Sequence, residues 1–240
     1  MTTIPRTSPP AEGSRRRDPV AVAADRCIRR LQGGYRDDRP SAVSTLARLR
    51  RGAGRPAHAV QDLWGLTGTS ELAEALADLP EDDRKWFDHD RAEEALHLAV
   101  TLWALHQQSH RDTDMHRAGR GLGQAVRVLM IPSTGKPEGA LETRRGVDGG
   151  TTKIEPELNE PLRRRFVRVG TASSLDVLAQ RLREIVLLLR RDGIPLDYGL
   201  LADQLYRWQY PALTAQVRRD WGRDFHIAAL AHAKKPSADD

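Results

Sequence analysis

The sequence predicts an all-α protein with two helical-bundle lobes, and three observations support that prediction. Apolar residues recur at three- and four-residue steps, most clearly over 90–109 and 174–191. No segment sustains a two-residue alternation, so strands are not expected. Residues 132–155 show no apolar periodicity, and a loop of this length divides the helices into two lobes.

Changes in composition set the predicted boundaries of these parts. Residues 1–17 are rich in Pro, Thr, Ser and Arg and are expected to form a disordered tail. An N-terminal helical lobe follows over 18–131, a flexible loop over 132–155, and a C-terminal helical lobe over 156–233. A second disordered tail is assigned to 234–240.

In the first lobe, proline, glycine and capping residues mark the helix ends. Asp18 and Pro19 begin a helix that is expected to end at Gly33 and Gly34, because Asp caps helices and Pro fits their first turn. Ser70 is predicted to cap a later helix, and Pro80 is expected to break the chain. The predicted helices after the first are 40–51, 57–63, 70–78, 90–109 and 118–130.

In the second lobe, helices are predicted over 157–168, 174–191, 197–208 and 211–232. The last of them places large apolar residues at four-residue intervals, including Trp221 and Phe225. Most aromatic residues of this lobe are therefore assigned to the core. In the first lobe, the glycines of AGRGLG (118–123) are expected to let two helices approach closely, since no strand precedes them as a phosphate loop would need.

Charge is distributed unevenly along the chain. The stretch TLARLRRGAGRP, 45–56, holds four arginines and no acid, and LRRRFVR, 162–168, holds four more. Residues 71–94 carry ten acids against three bases. The formal net charge of +5 and a pI near 9.7 make a polyanion a candidate partner. The alternative is that these clusters are solvated helix faces.

No catalytic constellation is visible, and neither a metal site nor a cofactor is expected. His106 and His110 have a spacing that can bind a metal, but a zinc-protease motif needs glutamate where Gln107 stands. Packing and capping roles are the better interpretation of both. Cys27 is the single cysteine, which excludes an intramolecular disulfide. A binding or scaffold role is favoured over an enzyme.

Two segments bear on targeting. SRRRDP, 14–19, resembles a twin-arginine signal, but no apolar segment follows it, so export is not expected. The longest apolar run, IVLLL at 185–189, is too short to cross a membrane. A cytoplasmic location is the expectation.

Five motifs, in order, resemble one family. They are LARLRRG (46–52), WALHQ (103–107), GLGQAVRVL (121–129), the block from RRRFVRVG to QLYRW (163–208), and VRRDWGRDF (217–225). Together they resemble the small subunit, or CasB family, of type I-E CRISPR Cascade complexes. The resemblance covers about residues 40–226.

The resemblance implies a non-catalytic, all-helical subunit. It implies a second copy of the chain within a crRNA-guided complex, together with the backbone and large subunits as partners. It also implies contacts with target DNA and the displaced non-target strand, and indirect contact with crRNA. Arginines facing phosphates would suffice for that role, because holding an open R-loop needs no base readout.

The candidate nucleic-acid-binding residues are the arginines within or beside those motifs. They are Arg48, Arg50, Arg51, Arg55, Arg117, Arg120, Arg127, Arg163, Arg164, Arg165 and Arg168. A free-standing DNA-binding regulator is the alternative function. It would need a recognition helix, and the helix of plausible length, SELAEALADL, is acidic.

Overall fold

The computed structural model describes residues 18–130 and 159–233 of the protein, with side chains described as far as 227. Within those ranges all regular structure is helical, without strands; a parallel bridge between His116 and Leu196 stands alone. The all-α prediction is confirmed. The predicted loop 132–155 and the predicted tails 1–17 and 234–240 lie outside the described residues.

The described part of the chain forms ten α-helices and three 3-10 turns. The helices are α1 Pro19–Arg36, α2 Pro40–Leu49, α3 Thr69–Ala77, α4 Glu81–Lys85, α5 His89–Gln107, α6 Leu122–Leu129, α7 Glu160–Gly170, α8 Leu175–Arg191, α9 Tyr198–Trp208 and α10 Pro211–Ala233. The 3-10 turns are Arg50–Gly52, Ala57–Ala59 and Gln61–Leu63. None of the helices in these ranges is both long and apolar enough to span a membrane.

Several helix ends follow the predicted capping chemistry, and others do not. The Asp18 carboxylate accepts a hydrogen bond from the Val20 amide at 2.8 Å, as predicted. The predicted Ser70 cap is wrong: α3 begins at Thr69, and Gly68 precedes it with φ of +96°. A Cβ at Gly68 would lie 3.2 Å from the Cβ of Cys27, so the close approach of α1 also favours glycine there.

Three short segments differ from the predicted pattern. The helix predicted over 57–63 is a pair of 3-10 turns, and the Val60 between them adopts φ of −141°, which is not helical. Pro80 does not end regular structure but precedes α4, since proline suits the residues at a helix start. The helix predicted over 118–130 begins only at Leu122, after Gly119 and Gly121, which disfavour helix.

Helix α5 lies at the centre of the fold. Every residue from Ala95 to Gln107 is buried, because α5 packs against α1, α2, α8 and α9. Polar side chains on this helix are satisfied within the core: the Trp103 indole donates to the Gln32 side-chain oxygen at 3.3 Å. The Gln107 amide oxygen accepts from the Met115 amide at 3.0 Å, which fixes the segment after α5.

Helices from both sides of 131–158 contribute to one cluster of buried side chains. Ile28 and Leu96 of the first half belong to that cluster together with Leu182, Leu205 and Trp221 of the second. The pairing of α6 with α10 is among the closest, because Gly121 and Gly123 bring the two backbones together. The predicted lobe boundaries remain a prediction, and the helices assigned to the two lobes share this core.

Candidate nucleic-acid interface

The arginine-rich stretch of 45–56 runs from the end of α2 into a tight turn. Gly52 is buried, and a Cβ there would lie 2.5 Å from a methyl carbon of Leu63. Gly54 has φ of +77°, a conformation that other residues rarely adopt. The turn is held from behind by His97, whose Nε2 lies 3.0 Å from the Arg55 carbonyl oxygen. Burial lowers the pKa of His97, so the neutral ring donates this hydrogen bond.

The four arginines of this turn have different environments. Arg48 is half-buried and donates to the backbone carbonyl of Asp62. Arg51 lies 3.8 Å from the Asp62 carboxylate and stays mostly exposed, and Arg55 donates to the Ala59 carbonyl at 3.1 Å. Arg50 is exposed, and its guanidinium has no acidic partner within 18–130 and 159–233. Arg48 therefore supports the turn, while Arg50 and Arg51 are available to an external anion.

The second arginine cluster lies on the outer face of α7. Asn159 caps this helix, and Phe166 stacks on Phe225 with ring centroids 5.4 Å apart, which orients the arginines outward. Arg163 and Arg164 share the Glu160 carboxylate at 3.5 and 3.4 Å. These ion pairs are exposed and weak.

Two further arginines of α7, Arg165 and Arg168, are exposed. Neither has an acidic partner in the part of the chain that the structure describes. They therefore offer the most available positive charge on this helix.

Helix α8 joins the two clusters. Its Gln180 side chain donates to the Gly54 carbonyl at 2.5 Å, and Arg183 packs against Gly54. On the neighbouring side of the same turn, Arg181 donates to the backbone carbonyl of Arg168 at the end of α7. The 50–55 turn and the end of α7, which are more than 100 residues apart in sequence, thus both lie against one turn of α8.

We call this region the arginine surface. It consists of Arg50, Arg51, Arg55, Arg165, Arg168, Arg181 and Arg183. Sequence reasoning missed Arg181 and Arg183, which the polar side of LAQRLREI could have indicated, since they alternate with the apolar stripe of α8.

Arg117 and Arg120 lie elsewhere. The Arg117 amide donates to the Leu196 carbonyl at 3.2 Å, and the Arg120 carbonyl accepts from the Asp197 amide at 2.8 Å. The Asp197 carboxylate lies beside them and accepts from the Gly119 amide. These two arginines flank the start of α9, and among the described residues no contact connects them to the arginine surface.

Arg127 is not on the surface. Its residue is 8% exposed, and its guanidinium lies 5.5 Å from the centre of the Phe225 ring. Because α6 is pressed against α10, the side chain packs in the interior with a cation–π contact. The prediction that Arg127 binds nucleic acid therefore conflicts with its burial.

The acidic segment is partly neutralised by the chain itself. Helix α3 packs on α1, where Glu71 accepts from Arg30 at 2.6 Å and Glu74 lies 3.7 Å from Arg26. The acidic SELAEALADL helix therefore pairs with basic residues of α1. The acids of α4, Glu81, Asp82 and Asp83, are exposed.

The histidine pair has structural partners. His106 is fully buried, with its Nδ1 2.8 Å from the Tyr198 hydroxyl, and His110 Nε2 lies 2.9 Å from the Arg190 carbonyl. Burial, with the charge of neighbouring His110, lowers the pKa of His106 to about 3. In the described ranges no group of three or more His, Cys, Asp or Glu side chains could hold a metal ion.

Fold and surface together define an all-α protein that presents a cluster of exposed arginines. Residues 45–226 match the family model of CRISPR-associated protein Cse2, and the chain belongs to the Cse2 family. No curated protein sequence matches it.

Solved structures show the same fold. A crystal structure of CasB from Thermobifida fusca is 47% identical, covers 87% of this chain and 98% of its own, and has a TM-score of 0.67. A chain of a CRISPR RNA-guided surveillance complex is 20% identical over 90% of this chain and 98% of its own, with a TM-score of 0.55. A Cse2-family protein from Thermus thermophilus is 21% identical over 87% of this chain and 98% of its own, with a TM-score of 0.54.

Proposed function

We propose that this protein is the non-catalytic small subunit of a type I-E CRISPR Cascade complex in the cytoplasm. Membership of the Cse2 family supports this role, as does the likeness to CasB over nearly the whole of that chain. Its partners are the backbone and large subunits that carry the crRNA, and a second copy of itself. In this role it holds the target DNA and the displaced non-target strand of the R-loop.

The observation that carries the nucleic-acid part of the proposal is the meeting of two arginine clusters on α8. Arg181 contacts the end of α7, and Gln180 and Arg183 contact the 50–55 turn. Several guanidinium groups near one another favour a chain of phosphates over any single acidic side chain, because successive phosphates can engage several of them. No base-reading geometry is required, since R-loop formation is a near-balanced exchange that backbone contacts can tip.

The test is reconstitution with crRNA and the other subunits, followed by measurement of R-loop lifetime on target DNA. The variant Arg50→Ala/Arg51→Ala is compared with wild type and with Arg84→Ala/Lys85→Ala, which removes the same charge from α4. We expect all three proteins to enter the complex. The first variant should shorten the R-loop lifetime, and the α4 variant should not.

Two outcomes would contradict the proposal. Wild-type protein that fails to enter the complex would refute the subunit role. Equal R-loop lifetimes for both variants would show that the 50–55 turn does not hold nucleic acid.

A further inference from the structure

A large aromatic side chain is exposed beside the 50–55 turn. Trp64 is 68% exposed, although three of the five tryptophans of the chain, Trp103, Trp208 and Trp221, are buried. An indole left in water forgoes the favourable transfer of a large apolar surface to the core. A contact with another molecule would recover that free energy.

The backbone around Trp64 is fixed. Leu63 is 1% exposed and packs over Gly52, so it anchors the turn in the core. The Trp64 amide donates to the Gln61 carbonyl at 3.2 Å, and the Leu66 amide donates to the Leu63 carbonyl at 3.0 Å. With its neighbour buried and its amide bonded, Trp64 projects from a rigid base.

The 3-10 turn Gln61–Leu63, which precedes Trp64, contacts two of the arginines. Asp62, two residues before Trp64, accepts from Arg48 through its carbonyl and lies 3.8 Å from Arg51 through its carboxylate. Between residues 45 and 64 the chain has four arginines and one acid, and that acid is already paired. The segment that carries the exposed indole therefore has a net positive charge, although the Glu94 carboxylate accepts from its Ala57 amide at 3.2 Å.

A second exposed tryptophan shows that exposure alone does not define this arrangement. Trp86 is 69% exposed, almost the same as Trp64. It follows α4 in the segment 81–90, which holds five acids and two bases, and Lys85 lies 5.8 Å from its ring centre. A polyanion would be repelled there and attracted at Trp64.

We propose that Trp64 is a stacking platform for an unpaired nucleobase, in a strand whose phosphates are held by Arg50, Arg51 and Arg55. The proposal rests on the proposed nucleic-acid role of the arginine surface and adds a contact with a base to the contacts with phosphates. Every base has a π-face, so stacking on an indole is tolerant of sequence. A duplex hides those faces within its own stack, so this turn selects single-stranded nucleic acid.

The test uses the full-length protein and a fluorescein-labelled single-stranded DNA of mixed sequence. A matched strand with abasic tetrahydrofuran sites keeps the phosphates and removes the bases. Dissociation constants are measured by anisotropy over a range of salt concentrations for wild type, Trp64→Ala and Trp86→Ala. Intrinsic fluorescence is recorded for Trp64→Phe and Trp86→Phe, because the other tryptophans are buried from the strand.

We expect Trp64→Ala to weaken binding to the normal strand by about fivefold or more. Binding to the abasic strand should be unchanged, and so should the salt slope, since no phosphate contact is lost. Trp86→Ala should match wild type on both strands. The strand should quench the fluorescence of Trp86→Phe, in which Trp64 remains, and should quench that of Trp64→Phe far less.

Several results would overturn the proposal. Equal affinities of Trp64→Ala and Trp86→Ala, with a salt-dependent wild type, would refute stacking while leaving the arginine surface intact. If Trp64→Ala left strand binding unchanged but reduced incorporation into the complex, the indole would instead contact another protein subunit. A wild type that binds neither strand would remove both the stacking role and the nucleic-acid role on which it rests.

Discussion

The backbone of α6 at Gly123 directly faces the backbone of α10 at Phe225. A Cβ on Gly123 would lie 2.6 Å from the Phe225 amide nitrogen and closer still to the Trp221 carbonyl oxygen. Both obstacles are backbone atoms of a helix, so they cannot rotate away as a side chain can. The α6–α10 contact therefore depends on the absence of a side chain at this position.

We predict that Gly123→Ala destabilises the protein by about 1–3 kcal/mol, because an inserted methyl forces the two helices apart. Gly222→Ala is the control: Gly222 lies in α10, and apart from the neighbouring backbone of that helix nothing lies within 4 Å of a Cβ placed there. Alanine favours helix over glycine, so this control should be stabilising by about 0.5–1 kcal/mol. Urea unfolding measures both, and a stable Gly123→Ala protein would contradict the close approach.

Trp221 is 1% exposed, and its indole nitrogen donates to the Gln204 side-chain oxygen at 2.7 Å. We predict that Trp221→Ala lowers the free energy of unfolding by about 3–5 kcal/mol and reduces incorporation into the complex with it. Trp86→Ala, at an exposed tryptophan, should leave the unfolding midpoint within experimental error. Thermal unfolding followed by circular dichroism is the measurement, and an unchanged midpoint for Trp221→Ala would refute its packing role.

The features predicted correctly from the sequence are those that depend on a few neighbouring residues, such as helix caps and apolar periodicity. Asp18 caps α1, and the apolar stripe of α8 is buried, because capping and periodicity act over a few residues. The glycine at 123 was correctly assigned to a close helix approach. Ser70 failed as a cap because the fold brings α1 near Gly68, which is a tertiary constraint.

The candidate interface was harder to predict, because it depends on which distant segments meet. Arg127 appears as basic as Arg165 in the sequence, yet α10 covers it. Arg181 and Arg183 belong to a helix recognised for its apolar stripe, and their proximity to Gly54 and Arg168 exists only in the folded chain. A cluster of charged residues in the sequence indicates an exposed surface, but the packing of the helices decides which of those residues are exposed.

Stability should fall on mild acidification because of His106. Its pKa is lowered to about 3 by burial, whereas the unfolded chain has the ordinary value of 6.5. Below pH 6.5 the unfolded state binds a proton that the native state does not, so stability is lost as pH falls from 6.5 towards 3. The expected slope is about 1.4 kcal/mol per pH unit. His106→Gln should flatten the dependence of unfolding free energy on pH between 6.5 and 5.

Asp203 changes the pH dependence of stability in the direction opposite to His106, so it provides a control. Burial, with the nearby Asp18 carboxylate, raises the pKa of Asp203 from 3.8 to about 6. The native state therefore binds a proton first, and this group adds stability as pH falls from 6 to 3.8. Asp203→Asn should steepen the loss of stability below pH 6. If His106→Gln and wild type show the same slope, the buried neutral imidazole is not the cause.

The exposed arginines of α7 should determine part of the salt dependence of strand binding. Arg165 and Arg168 are exposed and have no acidic partner in 18–130 or 159–233, so they can each meet a phosphate. Each phosphate contact contributes about 0.7 to the slope of log K against log salt for a single strand. Arg165→Ala/Arg168→Ala should therefore reduce the magnitude of that slope by about 1.4. Arg84→Ala/Lys85→Ala removes the same charge from α4 and should leave the slope unchanged. Equal slopes for both variants, in titrations of the assembled complex on target DNA, would show that the α7 arginines are solvated and contact no phosphate.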